Sequence, residues 1–289
     1  MEEQNKKNNG LIIGIIIVLI IIGVVVVILM NSPKKSAANN NDDVNANTST
    51  NTSNKYSTCA KVGNQCTDKE ITEGQLVSVS VNKKTSYDFY VIKDDGTKLT
   101  LLKAGSLGDA IEWTSKDDST NVFKGETGRN YFGPYTALKY LNELTKDWDK
   151  IDVIKDYSFQ DPKTDGDNKY TGLDIKNGTI SLTTKDSEVV SVPGEARARL
   201  LTLEEFNEIK PANSSYIDWL STKLKEEKKN DKSEDSYEHI ARIYMWLLDA
   251  GDFSNRPGRA VSYNQVTEIN VENKGMLYPV ITIDKKQIN

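Results

Sequence analysis

The chain has 289 residues, with 37 Lys and Arg against 42 Asp and Glu and a formal net charge of −5. That length allows one or two globular domains. The acidic balance argues against nucleic acid as a partner, because nucleic-acid binders carry basic patches that neutralise phosphates. Beyond an apolar block near the start, the chain still has enough hydrophobic residues to bury one sizeable core.

The apolar block, Leu11–Met30, consists of aliphatic residues, Met and Gly and carries no charge. As a helix it would span about 30 Å, the thickness of the hydrocarbon core of a bilayer. It is longer than the roughly 7–15 apolar residues of a cleaved signal peptide, so we expect an uncleaved signal-anchor. Residues 1–10 would then be a cytoplasmic stub. Lysines flank the block on both sides, so charge bias alone leaves its orientation open.

Residues 31–55 are rich in Asn, Ser and Thr and nearly free of aliphatic residues. Such a segment cannot bury enough apolar surface to offset its chain entropy. We therefore expect a disordered linker that holds a folded domain, residues 56–289, away from the membrane.

Cys59 and Cys66 enclose six residues and are the chain's two cysteines. They either pair with each other or stay free, and two cysteines without a cluster of His cannot make a four-ligand zinc site. A short-loop disulfide is the interpretation that we favour. Since disulfides persist in oxidising compartments, this pairing favours an extracellular folded domain.

Alternation and turn residues predict strands early in this domain. Leu76–Val81 alternates with period two, as half-buried strands do. Tyr87–Ile92 and Lys98–Leu102 are β-prone runs, and the Asp-Gly pair that ends at Gly96 between them is a hairpin signal. Later in the chain three further strands are predicted: Ala260–Tyr263, Glu268–Val271 and Tyr278–Ile283.

Helices are predicted in the middle of the domain. Gly133-Pro134 introduces a run of apolar residues at spacings of three and four that ends at Trp148. Thr202 and Glu205 fit a capping box at the start of a second helix. A third helix is predicted from the spacing of Tyr237, Ile240, Tyr244 and Leu247. Strands at both ends with helices between them predict an α+β fold.

Four features, in this order, resemble a group of uncharacterised bacterial surface proteins with a C-type-lectin-like domain. The segments that carry the resemblance are Gly74–Gly96, Gly133–Trp148, Ala198–Glu205, and Trp246 with Tyr278–Ile283. The resemblance implies a C-type-lectin-like fold, in which the first and last strands pair and a long irregular loop region binds ligands. This sequence departs from the family at Gly275–Pro279, where the family has Gly-Val-Arg-Pro.

The same fold is shared with formylglycine-generating enzymes, whose active site needs a cysteine pair near the C-terminal part of the domain. Cys59 and Cys66 lie at the opposite end, so the resemblance implies a catalytically inactive domain. His239, the chain's one histidine, lies in a charged stretch typical of a surface. We expect no cofactor and no metal, and the sequence leaves open a structural cation near Asp161–Asp167.

The candidate ligand-binding residues combine arginines, acids and aromatics within nineteen positions, a composition that suits recognition of polar ligands or proteins. They are Trp246, Asp249, Asp252, Phe253, Arg256, Arg259, Tyr263 and Asn264. The plainer interpretation is that the aromatic residues belong to the core or to strands and that the charges keep a loop soluble. Trp113 and Trp148 are predicted to be core residues.

These observations favour a single-pass protein of the cell membrane whose C-terminal domain is an extracellular binding or adhesion module without catalytic activity. Its partner would be an extracellular protein or glycan. Two alternatives stay open: a carboxylate-dependent hydrolase of the cell envelope, and a scaffold subunit of a membrane complex.

Overall fold

The computed structural model describes residues 58–62, 65–67, 71–122, 131–162, 170–184, 186–212, 244–251, 257–262 and 265–285. All of them fall within one compact unit, Thr52–Asn289. The predicted stub, membrane segment and linker all lie outside the described residues. Among the described residues, no helix is long and apolar enough to span a membrane.

Strands dominate the described part of the chain. Those of the first half are β1 (Thr58–Val62), β2 (Gln65–Thr67), β3 (Leu76–Ser80), β4 (Ser86–Asp94), β5 (Lys98–Lys103), β6 (Ile111–Glu112) and β7 (Asp156–Gln160). Those of the second half are β8 (Tyr170–Lys176), β9 (Thr179–Thr184), β10 (Val189–Val192), β11 (Tyr244–Ala250), β12 (Pro257–Ser262), β13 (Gln265–Asn270), β14 (Lys274–Gly275) and β15 (Val280–Asp284). The helices are α1 (Lys116–Asn121), α2 (Tyr135–Thr145) and α3 (Leu203–Ala212).

The described strands form four sheets. The largest has the order β15-β5-β4-β3-β1-β2, and its pairs are antiparallel. A second sheet has the order β10-β9-β8-β7, a third the order β11-β12-β13, and β14 pairs with β6. The result is a mixed fold of sheets with few helices, compatible with the predicted α+β class.

The core consists of two hydrophobic clusters that take alternate residues of the same strands. In β5, Leu101 belongs to the larger cluster and Leu102 to the smaller one. In β11, Trp246 and Leu248 face the larger cluster, whereas Leu247 faces the smaller one. Both strands are therefore buried on both faces, as expected for strands between two packed layers.

The local signals of the sequence correctly predicted several elements. The strand β3, the hairpin of β4 and β5, and the last strands are confirmed with shifts of one to three residues at their ends. Gly96 has φ +86° in the hairpin turn, a conformation that favours glycine. Helices α2 and α3 are also confirmed, although α2 ends at Thr145, before Trp148. Trp113 and Trp148 are buried, as predicted.

Two expectations are wrong. The helix predicted through Tyr244 and Leu247 is instead strand β11, whose last six residues are all buried. A strand buried on both faces is apolar at nearly every position, so helical spacings can be found within it by chance. Among the described strands, the first and last do not pair: β15 lies beside β5, and β1 lies between β2 and β3.

Candidate functional site

A cleft of about 960 Å³ lies between β7 and the first turns of α3. Its volume falls within the range of known ligand pockets, about 300–1,000 Å³. One wall consists of Tyr157–Gln160 with Pro162, and the other of residues 202–205 with Asn207 and Glu208. Lys93 and Asp249 complete the lining.

The helical wall begins with the capping box that the sequence predicted. The Glu205 backbone N–H donates to Thr202 Oγ1 at 3.1 Å, and the Thr202 backbone N–H donates to Glu205 Oε2 at 3.1 Å. These two hydrogen bonds satisfy amides that a helix N-terminus otherwise leaves without partners. They hold the first turn of α3, and with it the edge of the cleft, in one position.

Arg199 anchors the same turn from behind. Its side chain is only 7% exposed, and Nη1 donates to Glu205 Oε2 at 2.8 Å while Nη2 pairs with Glu205 Oε1. The guanidinium also stacks over the ring of Tyr157, with 4.4 Å between Cζ and the ring centre. Arg199 and Val280 exchange backbone hydrogen bonds of 2.8 and 3.0 Å. One buried cation thus ties the two walls of the cleft to the largest sheet.

The protonation of these groups follows from their contacts. Burial by itself would raise the pKa of Glu205, but the Arg199 charge and hydrogen bonds outweigh burial and lower that pKa below its usual value. Burial raises the pKa of Tyr157 to about 12, against the opposing effect of Arg199. At neutral pH the pair is therefore ionised and Tyr157 is a neutral hydroxyl.

Two buried carboxylates join the elements that meet at the cleft. Asp249 Oδ2 accepts a hydrogen bond of 2.6 Å from the backbone N–H of Leu203, in the first turn of α3. Asp161 Oδ2 accepts one of 2.9 Å from the backbone N–H of Ala250, at the end of β11. The end of β7, the end of β11 and the start of α3 are thereby held together, so the cleft is preformed.

Of the predicted ligand-binding residues, the structure places Asp249 at the cleft and Trp246 in the core. Asp249 lines the cleft but is buried and bonded to Leu203. Trp246 is a core residue, 1% exposed, and its indole N–H donates to the Ile111 carbonyl at 2.7 Å. Arg259 lies in β12, opposite Glu268 of β13. Five of the candidates lie outside the described residues: Asp252, Phe253, Arg256, Tyr263 and Asn264.

Two other predictions, the disulfide and the structural cation site, involve segments that are only partly described. Cys66 is paired with Lys61 in the β1–β2 hairpin, and Cys59 lies two positions before Lys61 along β1. The carboxylate of Asp161 accepts a hydrogen bond from the backbone N–H of Ala250, and residues 163–167 of the predicted cation loop, together with His239, lie outside the described residues. Within the described parts of the chain, no group of three or more His, Cys, Asp or Glu could hold a metal ion.

The prediction from sequence missed most of the cleft. Neither Tyr157–Phe159 nor Glu204 is among the residues that the sequence indicates as binding candidates. One usable signal was overlooked: Asn177-Gly178, the pair that forms the β8–β9 turn with φ of 45° and 80°, is a strong hairpin signal. That hairpin signal predicts β8 and β9, the two central strands of the sheet to which β7 belongs.

The cleft combines a neutral aromatic residue, strand and helix walls, and an excess of acidic groups. Glu204 and Glu208 are exposed on the helical wall, and Lys93 is the cation among the lining residues. This arrangement can bind a polar or positively charged ligand by hydrogen bonds and charge attraction. In comparisons with known proteins, the chain matches no protein family, no curated protein and no solved structure.

Proposed function

We propose that this protein is a membrane-anchored extracellular binding module and that the cleft between β7 and α3 is its ligand-binding site. The observation that carries the proposal is the preformed cleft of about 960 Å³, whose walls are held by the buried ion pair of Arg199 and Glu205. A site whose shape is set before binding loses little conformational entropy when a ligand enters.

The sequence supports the anchored, extracellular part of the proposal. Leu11–Met30 has the length and composition of a membrane-spanning helix, and residues 31–55 have the composition of a flexible spacer. The cysteine pair at positions 59 and 66 suits an oxidising compartment. The C-type-lectin-like relationship belongs to the same proposal and is supported by the four resembling segments.

Binding is favoured over catalysis because of the chemistry of the cleft. Glu205 is held ionised by Arg199, so it cannot supply a proton at neutral pH. Asp249 accepts a backbone hydrogen bond that holds the start of α3. Both carboxylates thus have structural partners, which leaves exposed side chains such as Glu204, Asn207 and Glu208 to meet a ligand.

The test uses the full-length protein in detergent micelles, applied to a glycan array and to intact cells and their extracted surface proteins. We expect Asn207→Trp, which fills the cleft from an exposed position of α3, to weaken binding at least tenfold. Glu143→Trp, a change at another exposed position, on α2 and not among the residues that line the cleft, is the matched control. Binding that survives Asn207→Trp but is lost in the double variant Arg256→Ala, Arg259→Ala would move the site to the originally predicted segment.

The topology is tested separately on intact cells. Protease added outside the cells should remove residues 56–289 and leave a small membrane-bound fragment. Full protection of the domain in intact cells, with digestion only after lysis, would contradict the extracellular placement.

A second candidate is the carboxylate-dependent hydrolase, which one observation favours. Glu204, Glu208 and Asp249 line the same cleft, and glycosidases use two carboxyl groups about 5–10 Å apart. Release of reducing sugar from cell-wall or glycan substrates, abolished by Glu204→Gln or Asp249→Asn with the fold intact, would establish this activity. Equal turnover by these variants and the wild type would exclude it.

A further inference from the structure

Among the described strands, β7 lies at the edge of its sheet, and its outer side borders the cleft. In its sheet, of order β10-β9-β8-β7, it has β8 as its only neighbour among the described strands. The backbone N–H of Asp161 donates to the Thr171 carbonyl, and that of Asn177 donates to the Lys155 carbonyl. Residues 155 and 161 therefore direct their backbone groups towards β8 and its turn.

Alternate residues of a strand direct their backbone groups to opposite sides. Residues 157 and 159 thus share the direction of 155 and 161, and Ser158 and Gln160 direct their N–H and C=O groups away from β8. Both residues are exposed and both line the cleft. The cleft therefore presents backbone donors and acceptors in the spacing of a strand edge, a template for one more strand.

The opposite wall carries two glutamates whose spacing matches the repeat of side chains along a strand. Glu204 and Glu208 are four residues apart on α3, which places them about 6 Å apart along the helix axis. Side chains on one face of a strand repeat every two residues, or about 6.6 Å. The spacing of two alternate basic side chains on a strand added beside β7 would therefore match the spacing of the two glutamates along α3.

We propose that the cleft binds an extended, lysine- or arginine-bearing polypeptide segment of another protein, which adds to β7 as a fifth antiparallel or parallel strand with α3 as its second wall. This inference rests on the proposed function and names its ligand class. The main-chain hydrogen bonds at Ser158 and Gln160 supply affinity, and the glutamates of α3 select basic side chains.

A second copy of the chain is a poorer occupant of the same edge. Pairing β7 with its own copy would bring two copies of the exposed glutamates Glu204 and Glu208 to one interface. Like charges placed together at an interface oppose association. Light scattering of the full-length protein in micelles should accordingly give the same mass for the wild type and for Ser158→Pro.

The test measures binding of a fluorescein-labelled heptapeptide of alternating lysine and valine, with blocked ends, to the full-length protein in detergent micelles. The control peptide has glutamate in place of lysine, and we expect it to bind at least tenfold more weakly. Ser158→Pro removes an outward N–H without removing a bond to β8, and it should weaken binding of the lysine peptide about five- to tenfold. Ser158→Ala keeps that N–H and should bind like the wild type.

Charge selection is tested by Glu204→Gln with Glu208→Gln, which should weaken binding at least fivefold and flatten its salt dependence. Glu143→Gln on α2 is the matched control. Amide hydrogen exchange tests the same contact in the wild-type protein. Saturating lysine peptide should slow exchange of the Ser158 and Gln160 amides at least tenfold. Unchanged exchange there would overturn the proposal even if Ser158→Pro failed to fold.

The two proposals fail in different ways. If the lysine peptide does not bind but the protein still binds a glycan or a cell surface in a manner that Asn207→Trp abolishes, the strand-addition proposal is wrong and the binding module stands. If peptide, glycan and cell-surface binding are all absent, both proposals are wrong.

Discussion

The Arg199 guanidinium and the Glu205 carboxylate form a two-point ion pair beneath the first turn of α3, with Nη1 donating to Oε2 at 2.8 Å. Glu205 also accepts the capping hydrogen bond from Thr202, so one carboxylate serves both the helix start and the buried cation. Removing it should affect both.

We expect Glu205→Gln to lower the free energy of unfolding by about 3 kcal/mol, because it leaves the Arg199 charge buried without its anionic partner. Guanidinium denaturation measures this loss. Glu204→Gln changes the exposed neighbour in the same turn and should stay within about 0.5 kcal/mol of the wild type. Equal losses of unfolding free energy in the two variants would show that the ion pair of Glu205 stabilises the protein no more than the exposed Glu204 does.

The contribution of Glu205 should depend on pH. Arg199 holds the folded-state pKa of Glu205 below its usual 4.5, whereas unfolding restores that usual value. A lowered folded-state pKa stabilises the protein above the unfolded pKa, and this stabilisation is lost as pH falls through the folded value. The difference in unfolding free energy between wild type and Glu205→Gln should thus be largest near neutrality and shrink below about pH 4.5. A difference that grows on acidification would contradict this assignment.

Gly172→Ala should be far more damaging than Gly96→Ala. Both glycines have positive φ, +147° and +86°, but a Cβ at Gly172 would lie 2.1 Å from the Phe159 carbonyl oxygen, whereas one at Gly96 meets nothing within 4 Å. We expect a loss of about 1–2 kcal/mol for Gly96→Ala from backbone strain alone. Gly172→Ala should cost about 3 kcal/mol or more, because the β7–β8 pairing must shift. Thermal unfolding of the two variants gives the comparison, and similar melting temperatures would refute it.

The cysteines should be paired in protein isolated from the cell surface. Thiol reagents should label neither Cys59 nor Cys66 until the protein is unfolded and reduced. Cys59→Ser and Cys66→Ser should each lower the free energy of unfolding by the same amount, about 2–3 kcal/mol on the loop-entropy estimate. Two reactive thiols in the native protein would remove one support for the extracellular placement.

Local features of the chain could be predicted from sequence because their causes are local. The turn at Gly96 and the capping box of Thr202 and Glu205 depend on residues within a few positions of each other, and both occur as predicted. Strand β11 could not be recognised in the same way. Its apolar residues pack against layers contributed by distant segments, and a run buried on both faces carries no alternation.

The candidate site illustrates the same division. Asp249 was singled out for its type and neighbours and does line the cleft, but its hydrogen bond to Leu203 spans 46 positions of sequence. Trp246 was singled out in the same way and lies in the core.

By itself, the sequence determined the apolar block at Leu11–Met30, the polar tract after it, the early strands and the starts of two helices, since composition, periodicity and capping act over short distances. The tertiary structure decided that β7 is the last of the described strands in its sheet and that α3 lies across the cleft from it. A cleft and a free strand edge exist only where remote segments meet or fail to meet, and no spacing along the chain records that.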